Sequence, residues 1–303
     1  MDSRHVPGAA TVAVAEEHMT ESPNVAMALS SRPENVALVR EVLAGLSETL
    51  DLGGTVEDIK AAVSEACNNV VMHAYGGHEG LMEIELRAGD AQLEAVVRDY
   101  GVGIGPRRID DNHPGRCIGL AVIDALAATS ELRSHDGPGV EVAMRFDVPA
   151  QPELAGLDAK AVARRSRDAR EGALEITIAP PWLAAAIFNR VIAATAARAG
   201  FSIDRLSDAQ IVADALAAHV VPSLATPHVR LEIAGTDSGI ELRVGPLQRG
   251  GSLSAVADSA IAEVGPVIER LTDEVSIVPE DGSREMLSLR MRDRRPRTPS
   301  TAS

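Results

Sequence analysis

The sequence is poor in aromatic residues, since its 303 residues include only three Phe, two Tyr and one Trp. Proteins that bind single-stranded nucleic acid stack the bases on aromatic side chains, so this composition argues against such a role. Basic residues are also in the minority, with 29 Lys and Arg against 44 Asp and Glu and a formal charge of -15. An acidic surface repels phosphate backbones. We therefore expect no direct nucleic-acid contact, and an acidic surface of this kind suits a basic protein partner.

Cysteines and long apolar runs are scarce as well. The two cysteines, Cys67 and Cys117, exclude a disulfide framework and are typical of a reducing cytoplasm. The longest apolar stretch, Leu183 to Ala197, has 15 residues and contains Asn189 and Arg190, whereas a membrane span needs about 20 apolar residues. We therefore expect a cytoplasmic protein without a membrane segment or a secretory signal.

The length of the chain favours two domains, at about 150 residues for each. Composition places the boundaries of five regions. These are a flexible leader (1–22), a first domain (23–149), a locally basic linker (150–171), a second domain (172–292) and a disordered basic tail (293–303).

The hydrophobic pattern of the first domain alternates between strand and helix periods. Capping boxes at Ser31–Glu34 and Thr55–Asp58 are expected to begin two helices, the first of which runs to about Leu50. The predicted strands are 24–29, 81–87, 92–98, 129–135 and 140–148, and a third helix covers 118–128. This order favours an α+β fold, a two-layer sandwich with a mainly antiparallel sheet and helices on one face.

The second half repeats this order of elements. Predicted strands cover 174–179, 229–234, 240–244, 275–278 and 286–291, and predicted helices cover 181–199, 204–220 and 252–271. We interpret the chain as two tandem α/β sandwiches that arose by duplication.

Candidate chemistry first appears on the second helix. Glu65 and Asn69 are four residues apart, so both project from one helix face. A carboxylate and an amide in this arrangement can hold a water, a hydroxyl or a hard cation such as Mg²⁺. The alternative interpretation is an ordinary exposed polar face of a helix.

Two glycine-containing segments follow. Asp99, Gly101 and Gly103 come directly after an apolar strand, where an Asp can accept a hydrogen bond from an amino group and the glycines permit a close backbone approach. Gly115, Arg116 and Gly119 open the third helix, whose free amides attract phosphate. The alternatives are a plain glycine turn and a helix cap without a ligand.

Taken together, the three segments resemble the ATP-binding fold shared by DNA gyrase, the mismatch-repair MutL proteins and sensor histidine kinases, known as the GHKL or Bergerat fold. Glu65-x-x-x-Asn69 resembles its N box, Asp99-x-Gly101-x-Gly103 its first glycine box, and Gly115-x-x-x-Gly119 its second. Within this superfamily, the run from Asp58 through Asn69 to His73 is most similar to the bacterial anti-sigma-factor serine kinases. The resemblance covers about residues 24–148.

The resemblance implies an ATP-binding anti-sigma-factor kinase. Asp99 would receive the adenine amino group, Asn69 would ligate Mg²⁺, and Glu65 would be the general base. The loops would close over the nucleotide because of four glycines, Gly101, Gly103, Gly115 and Gly119. Arg116 would steady the phosphates of the nucleotide. The implied reaction transfers the γ-phosphoryl group of ATP to a serine of an antagonist protein. The implied binding partner is a sigma factor or a related regulator, which the protein sequesters.

Several positions depart from the family pattern. Cys117 stands where a third glycine is common, Val140 replaces a threonine near the adenine, and the stretch 106–114 is short. These departures bear on turnover more than on binding. They leave open a non-catalytic ATP-sensing scaffold as an alternative, and a histidine-kinase-type ATPase core is a second alternative. His73 is interpreted as a packing residue at the helix end, and both cysteines as buried thiols.

The repeat in the second half lacks this chemistry. Ala215 aligns with Glu65, His219 aligns with Asn69, and no Asp follows the strand that ends at Val244. We therefore predict that the second domain binds no ATP. The kinases that the first domain resembles are generally homodimers. We therefore hypothesise that the two tandem domains of this chain form an internal pseudo-dimer.

Overall fold

A computed structural model of the chain describes residues 23–89, 91–102, 115–133, 138–158, 173–236, 239–262 and 264–293, with the backbone alone at 115–118. Several predicted features therefore lie outside the described residues. They are the leader 1–22, Gly103, the stretch 106–114, most of the linker, the tail from residue 294 onward, and the side chains of Arg116 and Cys117.

Among the residues that the structure describes, the first half contains five strands and three α-helices. The strands are β1 (Val25–Ser30), β2 (Leu81–Gly89), β3 (Gln92–Asp99), β4 (Thr129–Arg133) and β5 (Glu141–Asp147). The helices are α1 (Pro33–Thr49), α2 (Val56–Asn69) and α3 (Gly115–Leu126). A 3₁₀ turn (Gly53–Thr55) precedes α2, and a π-helical turn (Val70–Ala74) extends it.

In its described residues, the second half contains seven strands and four helices. The strands are β6 (Leu174–Ile178), β7 (Val229–Thr236), β8 (Gly239–Gln248), β9 (Ala260–Ile261), β10 (Gly265–Pro266), β11 (Glu274–Asp281) and β12 (Arg284–Arg292). The helices are α4 (Ala184–Arg198), α5 (Ile203–Val220), α6 (Gly251–Asp258) and α7 (Val267–Leu271), with 3₁₀ turns at Pro181–Leu183 and Val221–Ser223.

Ten of these strands form one continuous sheet in the order β11-β12-β8-β7-β6-β1-β2-β3-β5-β4. Every neighbouring pair is antiparallel. Counted outward from the centre, β6-β7-β8-β12-β11 repeats the order β1-β2-β3-β5-β4. The predicted antiparallel α+β architecture is confirmed. The two predicted sandwiches, however, share a single sheet, because the first strands of the two halves pair with each other.

The junction between the halves is built from β1, β6, α1 and α4. Val25 pairs with Ile178 and Ala28 with Glu175 across the two central strands. Above them α1 packs against α4 so closely that a Cβ at Gly45 would lie 2.8 Å from the Cα of Ile187. Only a glycine permits this backbone approach. The junction is therefore a packed core and not a loose domain contact.

The strands bury alternate side chains, as the period of two requires. On β2, Met82, Ile84 and Leu86 are fully buried and belong to the hydrophobic core that also contains the helix residues. The intervening residues of β2 and β3 point to the opposite face of the sheet, where Arg98 bonds Glu141 at 2.7 Å. The sheet therefore has a helix-covered face and a charged face.

Part of the predicted linker is packed on the sheet. The backbone N–H of Leu157 donates to Pro23 O at 2.7 Å, and Asn24 Nδ2 donates to Ala155 O at 3.3 Å. Leu157 forms a small buried cluster with Ala26 and Ala179. Residues 155–157 thus cover the end of the β1–β6 pair. The domain boundaries stay predictions.

Three local predictions were wrong. The N-cap of α1 is Arg32 and has no side-chain cap, because Ser31 Oγ instead accepts the backbone N–H of Gly80 at 3.0 Å. Thr55 also provides no side-chain cap to α2, since its hydroxyl donates to Leu52 O. The helix predicted over 252–271 is interrupted by the β9–β10 hairpin, in which Gly265 has a φ of +80° and Pro266 follows it.

Candidate functional site

Helix α2 has one side that is buried in the core and another side that carries polar residues. Ile59, Ala62 and Ala66 of α2 pack into the core. Glu65 and Asn69 are partly exposed on another side of the helix, as their spacing predicted. His73, four residues further on, lies in the π-helical turn and faces the same cavity as Asn69. Such turns are frequent at functional sites.

Asp99 is the last residue of β3 and lies on the helix-covered face of the sheet. The alternation of β3 places Val97 and Asp99 on that face and Arg98 on the other. Asp99 is only 6 % exposed. Its backbone N–H donates to Val140 O at 2.9 Å, and its Oδ1 accepts the backbone N–H of Gly101 at 2.9 Å. The buried carboxylate of Asp99 is therefore held by a hydrogen bond from the loop that follows β3.

Gly101 is required for steric reasons. A Cβ at this position would lie 2.0 Å from the carbonyl oxygen of Ala74, at the end of the π-helical turn. The next residue, Val102, donates its N–H to the same oxygen at 3.0 Å. Gly101 is not among the described residues with positive φ. Its role is thus to let the loop after β3 contact the end of α2.

Gly119 has the same role at the opposite wall. A Cβ on Gly119 would lie 2.4 Å from Glu65 Oε1 and 3.2 Å from Asn69 Oδ1. Helix α3, which begins at Gly115, therefore passes directly over the two polar residues of α2. Two of the three motifs predicted from sequence meet here. The side chain of Arg116 and the whole of Gly103 lie outside the described residues.

These elements enclose a pocket between the helices and the sheet. Two polar residues, Asn69 and Asp99, lie in its lining beside His73. Its other walls are apolar and come from α2, the π-helical turn, β3, α3, β4, β5 and the residue before β5: Ala66, Val70, Ala74, Val97, Leu120, Leu132, Val140 and Val142. Apolar walls with a few directed polar groups are typical of small-molecule sites. A flat base with an amino group directed at Asp99 matches this lining.

Two of the remaining sequence interpretations concern His73 and the cysteines. His73 lines the pocket beside Asn69, and its interpretation as a packing residue stays a prediction. Cys67 is fully buried, as expected, and burial raises the pKa of its thiol to about 12. The pocket residue Leu132 and the nearby Tyr75 were not singled out from sequence, because no local motif marks them.

The described residues contain no cluster of three or more His, Cys, Asp and Glu side chains able to hold a metal ion. A Mg²⁺ ion at Asn69 would therefore need further oxygen ligands from a bound nucleotide. Such sharing suits Mg²⁺, which usually keeps few protein ligands beside substrate phosphates.

In the second half a helix begins directly after β8. Gly251 packs on Ser223, which ends the turn after α5, as Gly101 packs on Ala74. Helix α6 begins at Gly251 itself, whereas 13 residues separate Gly101 from Gly115 in the first half. The buried Glu285 accepts the N–H of Ser252 at 2.9 Å at the start of α6.

The start of α6 therefore binds a carboxylate of the protein itself, that of Glu285. Burial raises the pKa of Glu285, but hydrogen bonds from the Ser252 and Gly250 backbones outweigh it and lower the pKa overall. The two residues predicted to correspond to Glu65 and Asn69, Ala215 and His219, both lie on α5.

Within the described part of the chain, no helix has the length and apolar character that crossing a membrane requires.

Comparison with known proteins finds relatives of the first half. Residues 29–146 match the histidine kinase-like ATPase domain family. The chain is also 29 % identical over 132 residues to the serine-protein kinase RsbW of Bacillus cereus strain ATCC 10987, covering 39 % of this chain and 82 % of that protein. The proteins of the same name from Bacillus thuringiensis strain Al Hakam and Bacillus mycoides strain KBAB4 give the same identity and coverage. The resemblance of the first half to GHKL proteins is therefore confirmed, and the family match ends before β6.

Proposed function

We propose that this protein is an ATP-dependent protein serine kinase of the anti-sigma-factor type. The observation that carries the proposal is one pocket in which the buried Asp99 faces apolar walls, beside a helix edge that bears Glu65 and Asn69. The match of residues 29–146 to kinase-like ATPases supports nucleotide binding in this pocket. The likeness to serine-protein kinases supports the choice of a serine as acceptor.

In this proposal the adenine lies between Val97, Val140 and Leu120, with its amino group donating to Asp99. The phosphates extend along α2 toward α3. Asn69 offers an oxygen to the Mg²⁺ ion, which neutralises phosphate charge when bound. The backbone of α3 reaches this region at Gly119, and its N-terminus at Gly115 favours negative charge. Arg116 is proposed to add a positive charge, and Gly103 to let the loop close.

Phosphoryl transfer needs mainly positioning and charge neutralisation. The serine oxygen of the acceptor protein bonds to the γ-phosphorus, and the bond from that phosphorus to the β,γ-bridging oxygen breaks, which releases ADP. Glu65 takes the proton of the serine hydroxyl. Its position beside Asn69 and under Gly119 supports the assignment of Glu65 as this base.

The proposed partners are a sigma factor or a related regulator, which the protein sequesters, and an antagonist protein that carries the acceptor serine. The net charge of -15 favours basic surfaces on a partner. The second half is proposed to be a degenerate copy that binds no ATP. Its pairing through β6 and α4 supports an internal pseudo-dimer with one nucleotide site in each chain.

Labelled ATP tests the proposal directly. The chain is incubated with [γ-³²P]ATP, Mg²⁺ and candidate antagonist proteins, and label on a partner serine is measured. We expect transfer in the native protein and a loss of about a hundredfold or more in Glu65→Gln. Glu57→Gln is the matched control, because it makes the same change on the same helix at an exposed position and leaves transfer intact.

The alternatives predict different results. ATP binding without transfer to any candidate favours the non-catalytic sensing scaffold, an outcome that Cys117 and Val140 make worth testing. Acid-labile phosphate on a partner histidine favours the histidine-kinase-type core. Absence of ATP binding to the native chain would refute all three functions.

A further inference from the structure

The hydroxyl of Tyr75 lies between two backbone segments that meet at the pocket. It accepts the backbone N–H of Tyr100 at 2.9 Å and donates to the carbonyl oxygen of Leu81. Tyr75 follows the π-helical turn, Leu81 begins β2, and Tyr100 follows Asp99 directly. One hydroxyl thus joins the end of α2, the start of β2 and the residue next to the buried carboxylate.

The ring of Tyr75 is fixed as firmly as its hydroxyl. A Cβ on Gly80 would lie 2.2 Å from a ring carbon, so only a glycine there leaves room for the ring. Burial raises the pKa of Tyr75, which keeps the hydroxyl protonated and able to donate at neutral pH. The protonated hydroxyl therefore makes one donor and one acceptor bond to the backbone.

The Tyr75 bridge lies next to the contacts that hold Asp99. Beyond it, the loop is held by Gly101, which lies against Ala74 and donates to Asp99 Oδ1 at 2.9 Å. On the other side, the Asp99 N–H is held by Val140 O. The Tyr75 contact lies between these two, at the N–H of residue 100. Without the Tyr75 hydroxyl, the N–H of the peptide bond between Asp99 and Tyr100 loses this hydrogen-bond acceptor.

We propose that Tyr75 is a positioning residue that sets adenine selectivity, through the contact of its hydroxyl with the peptide N–H that follows Asp99. This inference rests on the proposed function, because it assigns Tyr75 to the same nucleotide pocket. Tyr75 does not line the pocket itself and acts on the base only through Asp99. Its removal therefore affects the recognition of the amino group more than the binding of the phosphates.

The test compares ATP with inosine triphosphate, which carries an oxygen in place of the adenine amino group. Calorimetric titration of the full chain gives the ratio of the two affinities. In Tyr75→Phe we expect the preference for ATP over inosine triphosphate to fall about fivefold, which corresponds to the loss of one hydrogen bond. Asp99→Asn serves as the positive control and is expected to abolish the preference. A general loosening of the fold lowers both affinities together and leaves their ratio unchanged.

The chain provides a matched control in its other tyrosine. The Tyr100 hydroxyl donates to Glu83 at 2.6 Å on the charged face of the sheet, away from the pocket. Tyr100→Phe removes the same atom one residue from Asp99 and is expected to keep the native ratio. Thermal unfolding of both variants checks that they fold.

The possible failures are distinguishable. If the native chain binds neither nucleotide, the proposed function fails. If the native chain prefers ATP and Tyr75→Phe retains the full preference, the role of Tyr75 is refuted while the proposed function stands. An equal loss of preference in Tyr100→Phe would also overturn the inference, because the effect would not depend on the Tyr75 bridge.

Discussion

Gly119 of α3 lies directly against the carboxylate of Glu65 on α2, since a Cβ at Gly119 would be 2.4 Å from Glu65 Oε1. The space that the Glu65 carboxylate occupies is therefore available only because Gly119 has no side chain. The two residues are 54 positions apart in the sequence, so no local pattern predicts the contact.

This contact makes Gly119→Ala a test of the proposed base. The carboxylate is the end of a flexible side chain, so the fold tolerates the extra methyl group, but Glu65 must move. We expect phosphoryl transfer to fall about tenfold or more, while the thermal midpoint changes little. Gly89→Ala is the control, because no atom lies within 4 Å of a Cβ there. Native transfer by Gly119→Ala would show that Glu65 acts from another position.

Asp99→Asn tests the place of the adenine. The substitution keeps the size of the side chain and removes the charge that accepts the amino group. We expect the dissociation constant for ATP, measured by calorimetry, to rise about tenfold to a hundredfold, as for a lost hydrogen bond to a charged group. Unchanged affinity in this variant would remove Asp99 from the site.

Gly45→Ala tests the junction between the halves. The new Cβ would lie 2.8 Å from Ile187 Cα, so the backbone of α4 must shift. The cost of overpacking exceeds the helical preference of alanine, and we expect the free energy of unfolding in urea to drop by about 1–2 kcal/mol. The control is Gly54→Ala, which has open space around its Cβ. Equal stability of the two variants would mean that α1 and α4 are not tightly packed in solution.

The buried thiol of Cys67 predicts a pH dependence. Its pKa is about 12 in the folded protein, against about 8.5 in an unfolded chain. The raised pKa means that its contribution to stability is complete below about pH 8.5 and declines as the pH rises toward 12.

Thiol labelling measures this burial. In a Cys117→Ser background, we expect Ellman's reagent to modify Cys67 slowly at pH 8 in the folded protein and rapidly in denaturant. Rapid labelling of the folded variant would contradict a closed core around α2.

The contribution of the sequence is clearest where the signal is local. The four-residue spacing of Glu65 and Asn69 placed both on one helix face, and the alternation along β3 placed Asp99 at a strand end. Local patterns failed where a distant segment competed for the same group. Ser31 was expected to cap α1, yet its hydroxyl accepts the N–H of Gly80, 49 residues away.

Apart from the helix predicted over 252–271, the amino-acid sequence alone determined the order of strands and helices. It also determined the repetition of that order in the second half, and the acid and amide of the candidate site. These features depend on periodicity and spacing within short segments. Tertiary structure decided that the two halves share one sheet through β1 and β6, that Gly119 lies over Glu65, and that Tyr75 holds the peptide after Asp99. Such contacts join residues far apart along the chain, and their geometry exists only once the core has packed and brought the segments together.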